Sequence, residues 1–323
     1  MLRRRQSRFE DRTMSTSAPA STPATKPTTR GIVRRALTDS HLQPRFWGEP
    51  PLRTAAWWTW KHKLGGKGLC LTPNERRLAE LREKHQGQRC FILGNGPSLN
   101  LCDLAKLKNE YTFAANSIFL KSDEMGFVPT YYVVEDILVA EDRAKRIDSY
   151  QGPTKFFGNY LRRFLSDGPD TIWMNVRINY QQYENFPHFS TNATRQLWCG
   201  GTVTYLSMQL AYHMGFSDVY LIGFDHNYII PPDAIVDGNR IESASGDPNH
   251  FDPSYFGKGY RWHNPRTDRM EIAYVRAKEH FDKAGRRIIN ATAGGKLEVF
   301  PRVEFDALFE EPIFEKTQAA KAA

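Results

Sequence analysis

Long apolar runs are missing from this 323-residue chain. No stretch approaches the ~18 consecutive apolar residues of a membrane span, which excludes a transmembrane helix. The N-terminus has no apolar h-region, which excludes a secretory signal. Its composition also suits an organelle transit peptide, and Met14 offers a second start. Cysteine is scarce: Cys70, Cys90, Cys102 and Cys199 show no C-x-x-C pair and no metal spacing. Cys90 and Cys199 lie in apolar segments and read as reduced core thiols of a cytosolic protein. Net charge is nearly absent from the body. Of the formal +8, residues 1–35 carry a net +7, from eight arginines and one lysine against Glu10 and Asp11. A nucleic-acid-binding domain spreads its basic surface over the fold, so no nucleic acid partner is expected. There is no internal repeat. What remains is enough hydrophobic and aromatic residue for a substantial core.

Residues 1–45 are rich in Ser, Thr, Pro, Ala and Arg, and are expected to be a disordered basic tail drawn to an anionic membrane or polymer. Residues 46–87 form a tryptophan-rich, helical lead-in. There Trp47, Trp57, Trp58 and Trp60 alternate with Arg53, Lys61, His62 and Lys63, which suits a helix packed on the domain, a membrane interface or an oligomer contact. Thr72-Pro73-Asn74-Glu75 is a capping box that opens a helix to about His85.

The chain is organised around Arg89-Cys-Phe-Ile-Leu-Gly-Asn-Gly-Pro-Ser98. An apolar run ending at glycine reads as a buried parallel strand. Gly94, Asn95 and Gly96 cannot continue it, and they bring backbone N–H groups near a ligand or make a plain tight turn. Ser98 is expected to cap a helix whose N-terminus favours phosphate. The pattern is neither the dinucleotide fingerprint nor the P-loop.

Further strands are expected at 111–116, 130–135, 154–158, 171–175, 218–223 and 287–290, with helices at 201–214 and 266–284. The alternation predicts an α/β, Rossmann-like, mostly parallel sheet flanked by helices over residues 88–312, followed by a tail at 313–323. Ligands of such sheets bind at the carboxyl ends of the strands. Asn95, Asn116, Glu135-Asp136 and Asp225 through Tyr228 all fall there. Gly201-Thr202 opens a second glycine-led helix, either for an anion or for close packing on the sheet. Residues 227–263 show little periodicity and read as a substrate-covering lid carrying His250, Tyr255, Tyr260, Trp262 and His263. His263 stands just before a helix and is the candidate general base. The Gly294-Gly295 turn either approaches the ligand or only reverses the chain.

Gly-Asn-Gly-Pro-Ser-Leu after a strand, Asn116, Gly223-x-Asp225 and Asn290-Ala-Thr-Ala-Gly-Gly-Lys-Leu-Glu-Val-Phe300 resemble the 6-hydroxymethylpterin diphosphokinase MptE-like family. That family also includes domains of Maf flagellin-glycosylation proteins, and the resemblance covers roughly residues 85–310. The first half is also similar to the bacterial sialyltransferases of glycosyltransferase family 42, with His263, Thr267 and Asp268 on the spacing of that family's histidine motif. This resemblance implies a nucleotide-dependent transferase, first a glycosyltransferase of a CMP-sialate-like donor. Its expected nucleotide-binding residues are Gly94, Asn95, Gly96, Ser98, Asn116, Asp136, Gly201, Thr202, Asp225 and Tyr228, with His263 as base and no cofactor. The sialyltransferases carry an asparagine where this chain has Glu135-Asp136. The MptE-like reading implies instead a diphosphokinase moving pyrophosphate from ATP to a hydroxymethyl acceptor, with Mg2+ on Glu135, Asp136 and Asp225. A non-catalytic nucleotide-binding module is the third reading. The expected acceptor is a glycan, such as a surface polysaccharide, or a small molecule, with the protein cytoplasmic and peripheral on the inner membrane face.

Overall fold

The structure is a computed structural model that describes residues 69–70, 72–178 and 186–310. The basic tail, the four tryptophans with their neighbouring bases, and the tail 313–323 lie outside the described residues.

Strands β1 (Arg89–Leu93), β2 (Tyr111–Ala115), β3 (Tyr131–Val134), β4 (Thr154–Gly158) and β5 (Thr171–Met174) follow one another in the chain. Two-residue strands β6 (Val176–Arg177) and β7 (Leu197–Trp198) pair in parallel, and β8 (Asp218–Ile222) comes next. A hairpin β9 (Ile235–Asp237) and β10 (Arg240–Glu242) is joined by β11 (Arg261–His263), and β12 (Arg287–Asn290) comes last. The main sheet runs β12-β8-β1-β2-β3-β4-β5, and every neighbouring pair is parallel. A parallel sheet covered on both faces buries most of its side chains, which explains the apolar runs of β1 and β3.

The helices are α1 (Pro73–Glu80), α2 (Ser122–Met125), α3 (Ile137–Ser149), α4 (Val203–Met214) and α5 (Thr267–Lys283). Ten residues of α4, including Gln209 and His213, are buried, so its polar groups must find partners inside. Gln209 does so with the Ser190 and Trp198 backbones. The capping box forms as expected: Thr72 Oγ1 accepts from Glu75 N at 3.3 Å, and Glu75 Oε2 accepts from Thr72 N at 3.1 Å. Yet α1 stops at Glu80, not near His85. The N–H groups of Glu83, His85 and Gly87 leave the helical pattern to donate to the carbonyls of His213, Met214 and Gly215 at the end of α4. Those carbonyls lack intrahelical partners, so a tertiary requirement overrides local propensity. Helix α3 is an element beyond those expected, and the segment 227–263 contains the sheet β11-β10-β9.

Two buried histidines make stability fall with acid. The ring of His85 stacks on Phe216 at 4.6 Å, and its Nε2 lies 2.5 Å from the Tyr131 hydroxyl. His213 Nε2 lies 2.7 Å from the Leu78 carbonyl, and its Nδ1 has no partner. Burial lowers the pKa of both. Below pH ~6.5 the unfolded chain therefore takes up protons that the fold refuses, and their stabilisation is lost as pH falls through the lowered folded values. His213→Gln should lose less stability than wild type between pH 7.5 and 5.5, by up to ~1.4 kcal/mol per pH unit. Urea midpoints at the two pH values measure this. Parallel slopes would remove His213 from the account.

Candidate active site

From β1 the chain winds outward to β5, then returns through α4 to β8 on the other side of β1. The switch between β1 and β8 opens a crevice beyond the strand ends. A cleft of about 1180 Å³, solvent at its mouth included, occupies that place. It is walled by the ends of β1, β2, β3 and β8, the start of α4, and the covering segment. Gly94, Asn95, Gly96, Asn116, Glu135, Asp136, Gly201, Thr202, Asp225, Tyr228 and His263 all border it, and Ser98 does not.

The glycine turn differs from its reading. Pro97–Leu101 is a five-residue 3-10 helix with Gly96 at its N-cap, and Ser98 caps nothing. The Ser98 hydroxyl donates to Asp225 Oδ2 at 2.7 Å, and its N–H donates to the same carboxylate at 3.2 Å. Gly94 N donates to the Ile222 carbonyl at 2.7 Å, and Gly96 N to the Gly223 carbonyl at 3.0 Å. These three amides are therefore committed within the protein. The glycines are required because β8 presses on the turn. A Cβ at Gly94 would lie 2.3 Å from the Gly223 oxygen, and one at Gly96 would lie 1.9 Å from Asp225 Oδ2. The Gly294-Gly295 turn likewise packs on the Asp225 backbone, where a Cβ at Gly295 would lie 3.0 Å from the carbonyl oxygen.

The two asparagines keep unmet hydrogen-bonding capacity. Asn95 donates through Nδ2 to the Ala115 carbonyl at 3.3 Å, while its Oδ1 is buried without a partner. Asn116 holds a left-handed φ of 52°, which asparagine tolerates better than most residues, and its Oδ1 is also buried and unpaired. Unpaired buried acceptors are costly, so both await donors such as ligand hydroxyls, amino groups or water. At the opposite wall, Gly201 takes a φ of 83° into α4, and Thr202 caps that helix through the Thr204 N–H at 3.3 Å.

A histidine–carboxylate pair stands at the end of β3. Asp136 is the N-cap of α3, with Oδ1 accepting from Leu138 N at 2.7 Å. Its Oδ2 lies 2.8 Å from Nδ1 of His263, which ends β11 and does not sit in the loop before α5. Arg261, two residues earlier, pairs with Asp142 on α3 and lays β11 alongside that helix. With Nδ1–H directed at Asp136, Nε2 is left as the open nitrogen. The hydrogen bond to Asp136 raises the imidazole pKa, against a lowering by burial. Burial pushes the neighbouring Glu135 carboxyl up to about 7, although the Cys199 thiol, donating to it at 2.8 Å, pulls the other way.

The diphosphokinase reading would place a metal on Glu135, Asp136 and Asp225, and each of these carboxylates has a partner within the protein. Glu135 is bonded to Cys199, Asp136 to Leu138 and His263, and Asp225 to Ser98. Among the described residues, no three acidic, histidine or cysteine side chains gather as metal ligands.

The cover is pinned to the body. Phe251 N donates to the Asn95 carbonyl at 2.9 Å, and the buried Arg143 donates to the Ser254 carbonyl at 2.8 Å. It also brings a second histidine–carboxylate pair to the cleft, with His250 Nδ1 2.6 Å from Asp247 Oδ2. Asp-x-x-His at 247–250 is visible in the sequence, but nothing local marks it as part of the site.

Residues 71–230 match the family model described as 6-hydroxymethylpterin diphosphokinase MptE-like. A comparison with curated proteins finds no match. Among solved structures, this chain is similar to the MAf glycosyltransferase from Magnetospirillum magneticum AMB-1, at 14% identity and a TM-score of 0.40. The similarity covers 80% of this chain and 42% of that one, so this chain spans less than half of that protein's length. His250 and His263 lie beyond the stretch that the family model covers. Over residues 71–230, from the first helix to the segment after β8, this chain is similar to the MptE-like family.

Proposed function

We propose that this chain is a transferase that binds a nucleotide-activated, CMP-sialate-like sugar in the cleft and passes the sugar to a hydroxyl acceptor. The MptE-like match supports a transferase in general. The observation that carries the finer reading is the Asp136–His263 pair, with Nε2 open at a cleft whose asparagine carbonyls lack partners. In the reaction the acceptor oxygen forms a bond to the sugar's anomeric carbon, and the bond from that carbon to the phosphate oxygen breaks. Its electron pair leaves with the nucleotide, and the acceptor proton passes to His263 Nε2. Asp136 holds the ring's tautomer and stabilises the imidazolium that forms. Asn95 Oδ1 and Asn116 Oδ1 accept from the nucleoside.

The acceptor we propose is a glycan or a small hydroxylated molecule, reached by a cytoplasmic protein through peripheral membrane contact of its basic tail. No described helix is long and apolar enough to cross a membrane. The diphosphokinase alternative draws on the family's description, but the carboxylates it needs for a phosphate-bridging metal are engaged elsewhere.

Thermal shift with CMP and ATP, each with and without magnesium, separates these readings. CMP at a hundredfold excess over its Kd should add about 2.7 kcal/mol of stability without metal. Stabilisation by ATP only with magnesium would favour the diphosphokinase. No response to any nucleotide would end the nucleotide reading.

A further inference from the structure

The leaving nucleotide takes the electron pair on its phosphate, so the cleft needs hydrogen-bond donors aimed there. The glycine turn is poorly supplied, because the amides of Gly94, Gly96 and Ser98 donate to Ile222, Gly223 and Asp225. Asp225 itself brings a negative charge to that turn, tied to the Ser98 hydroxyl.

His250 is placed to fill the gap. The hydrogen bond from Phe251 N to the Asn95 carbonyl holds residue 250 beside the turn. The imidazole lies flat on Tyr255, with centroids 4.0 Å apart and planes 4° from parallel, and the edge of Phe256 closes a second side. Its Nδ1 is fixed by Asp247, and Nε2 has no partner among the described residues. Asp247 is buried at 7% exposure. It takes backbone N–H bonds from Asn249 and Phe256, and His250 is its ion-pair partner among the described residues.

With Nδ1 turned to the Asp247 carboxylate, the other edge of the ring is left for a phosphate oxygen in the cleft. The two histidines also differ in depth. The His250 side chain is 13% exposed and the His263 side chain 44%, which suits an inner group for the donor and an outer one for the acceptor.

We propose that His250, oriented by Asp247, is the phosphate-binding group of the cleft and in its protonated form donates its Nε2–H to the oxygen that leaves with the nucleotide. This rests on the nucleotide-sugar reading above. His263 receives the acceptor's proton and His250 stabilises the departing charge, so the two histidines have opposite tasks.

Calorimetric titration with CMP and with cytidine tests this on full-length wild type, His250→Gln, His250→Phe and His263→Ala. The phenylalanine keeps the ring on Tyr255 and removes the donor. Both His250 variants should bind CMP about tenfold or more weakly, as expected for a lost charge-assisted bond, and cytidine within twofold of wild type. His263→Ala should bind both as wild type does. Wild-type affinity for CMP in both His250 variants would overturn the phosphate role and leave the nucleotide reading standing. Equal loss of CMP and cytidine would make His250 a structural residue and overturn the role as well. If wild type binds neither compound, the nucleotide reading fails and this proposal fails with it.

Discussion

His263→Ala is expected to lose about 100- to 10,000-fold in turnover, the usual worth of a positioned proton acceptor. Nucleotide affinity should hold, because in the proposed reaction Nε2 meets the acceptor hydroxyl and not the nucleotide. The wild-type rate should rise with pH through an imidazole pKa lying above the ordinary 6.5, since the Asp136 carboxylate favours the protonated ring. The sign follows from the role: a base works only when deprotonated, so the acid limb marks loss of the active form. Asp136→Asn should move that limb to lower pH and lower the plateau, because the ring loses both its counter-charge and its fixed tautomer. The His263→Ala variant should have no such limb. Initial rates across pH 5–9 for the three proteins decide the matter. Turnover of the alanine variant within a few-fold of wild type would sink the assignment. An unmoved limb in Asp136→Asn would separate the carboxylate from the base.

Gly94→Ala should cost about 3 kcal/mol, at the upper end for a methyl forced into a packed interior. The added Cβ would sit 2.3 Å from the Gly223 oxygen and 2.7 Å from its carbonyl carbon. Both are backbone atoms just past β8, and no rotamer change relieves the overlap. The hydrogen bond from Gly94 N to the Ile222 carbonyl, 2.7 Å long, would have to stretch as the strands part. For a domain of this size the melting temperature should fall by roughly 6–12 °C. Gly246→Ala is the control, because its Cβ would meet nothing closer than 3.6 Å. Scanning calorimetry of both variants measures the contrast. Equal melting temperatures would show that β8 does not press on the turn.

The sequence alone determined the parallel sheet and the edge at which the polar residues gather. Parallel strands place their carboxyl ends on one side, so Asn95, Asn116, Asp136 and Asp225 share that edge once the strands are recognised. The capping box of α1 was legible for a similar reason, since its reciprocal bonds span only three residues. Where α1 ends was not legible, because the free carbonyls of α4 that draw the chain away come more than a hundred residues later.

The purpose of the glycines was also hidden. Their motif permits close approach, and only the tertiary structure shows that Asp225 and the Gly223 carbonyl just past β8 press on the turn. The dyad belongs to the same class. Asp136 and His263 are 127 residues apart and meet because Arg261 lays β11 along α3. Asp247 and His250 are three residues apart, yet they join the cleft only through the hydrogen bond from Phe251 to Asn95. Local spacing determined which groups were available. Which donor each acceptor met was decided by long-range packing, because a buried polar atom must be satisfied by whatever the fold brings within 3 Å or so.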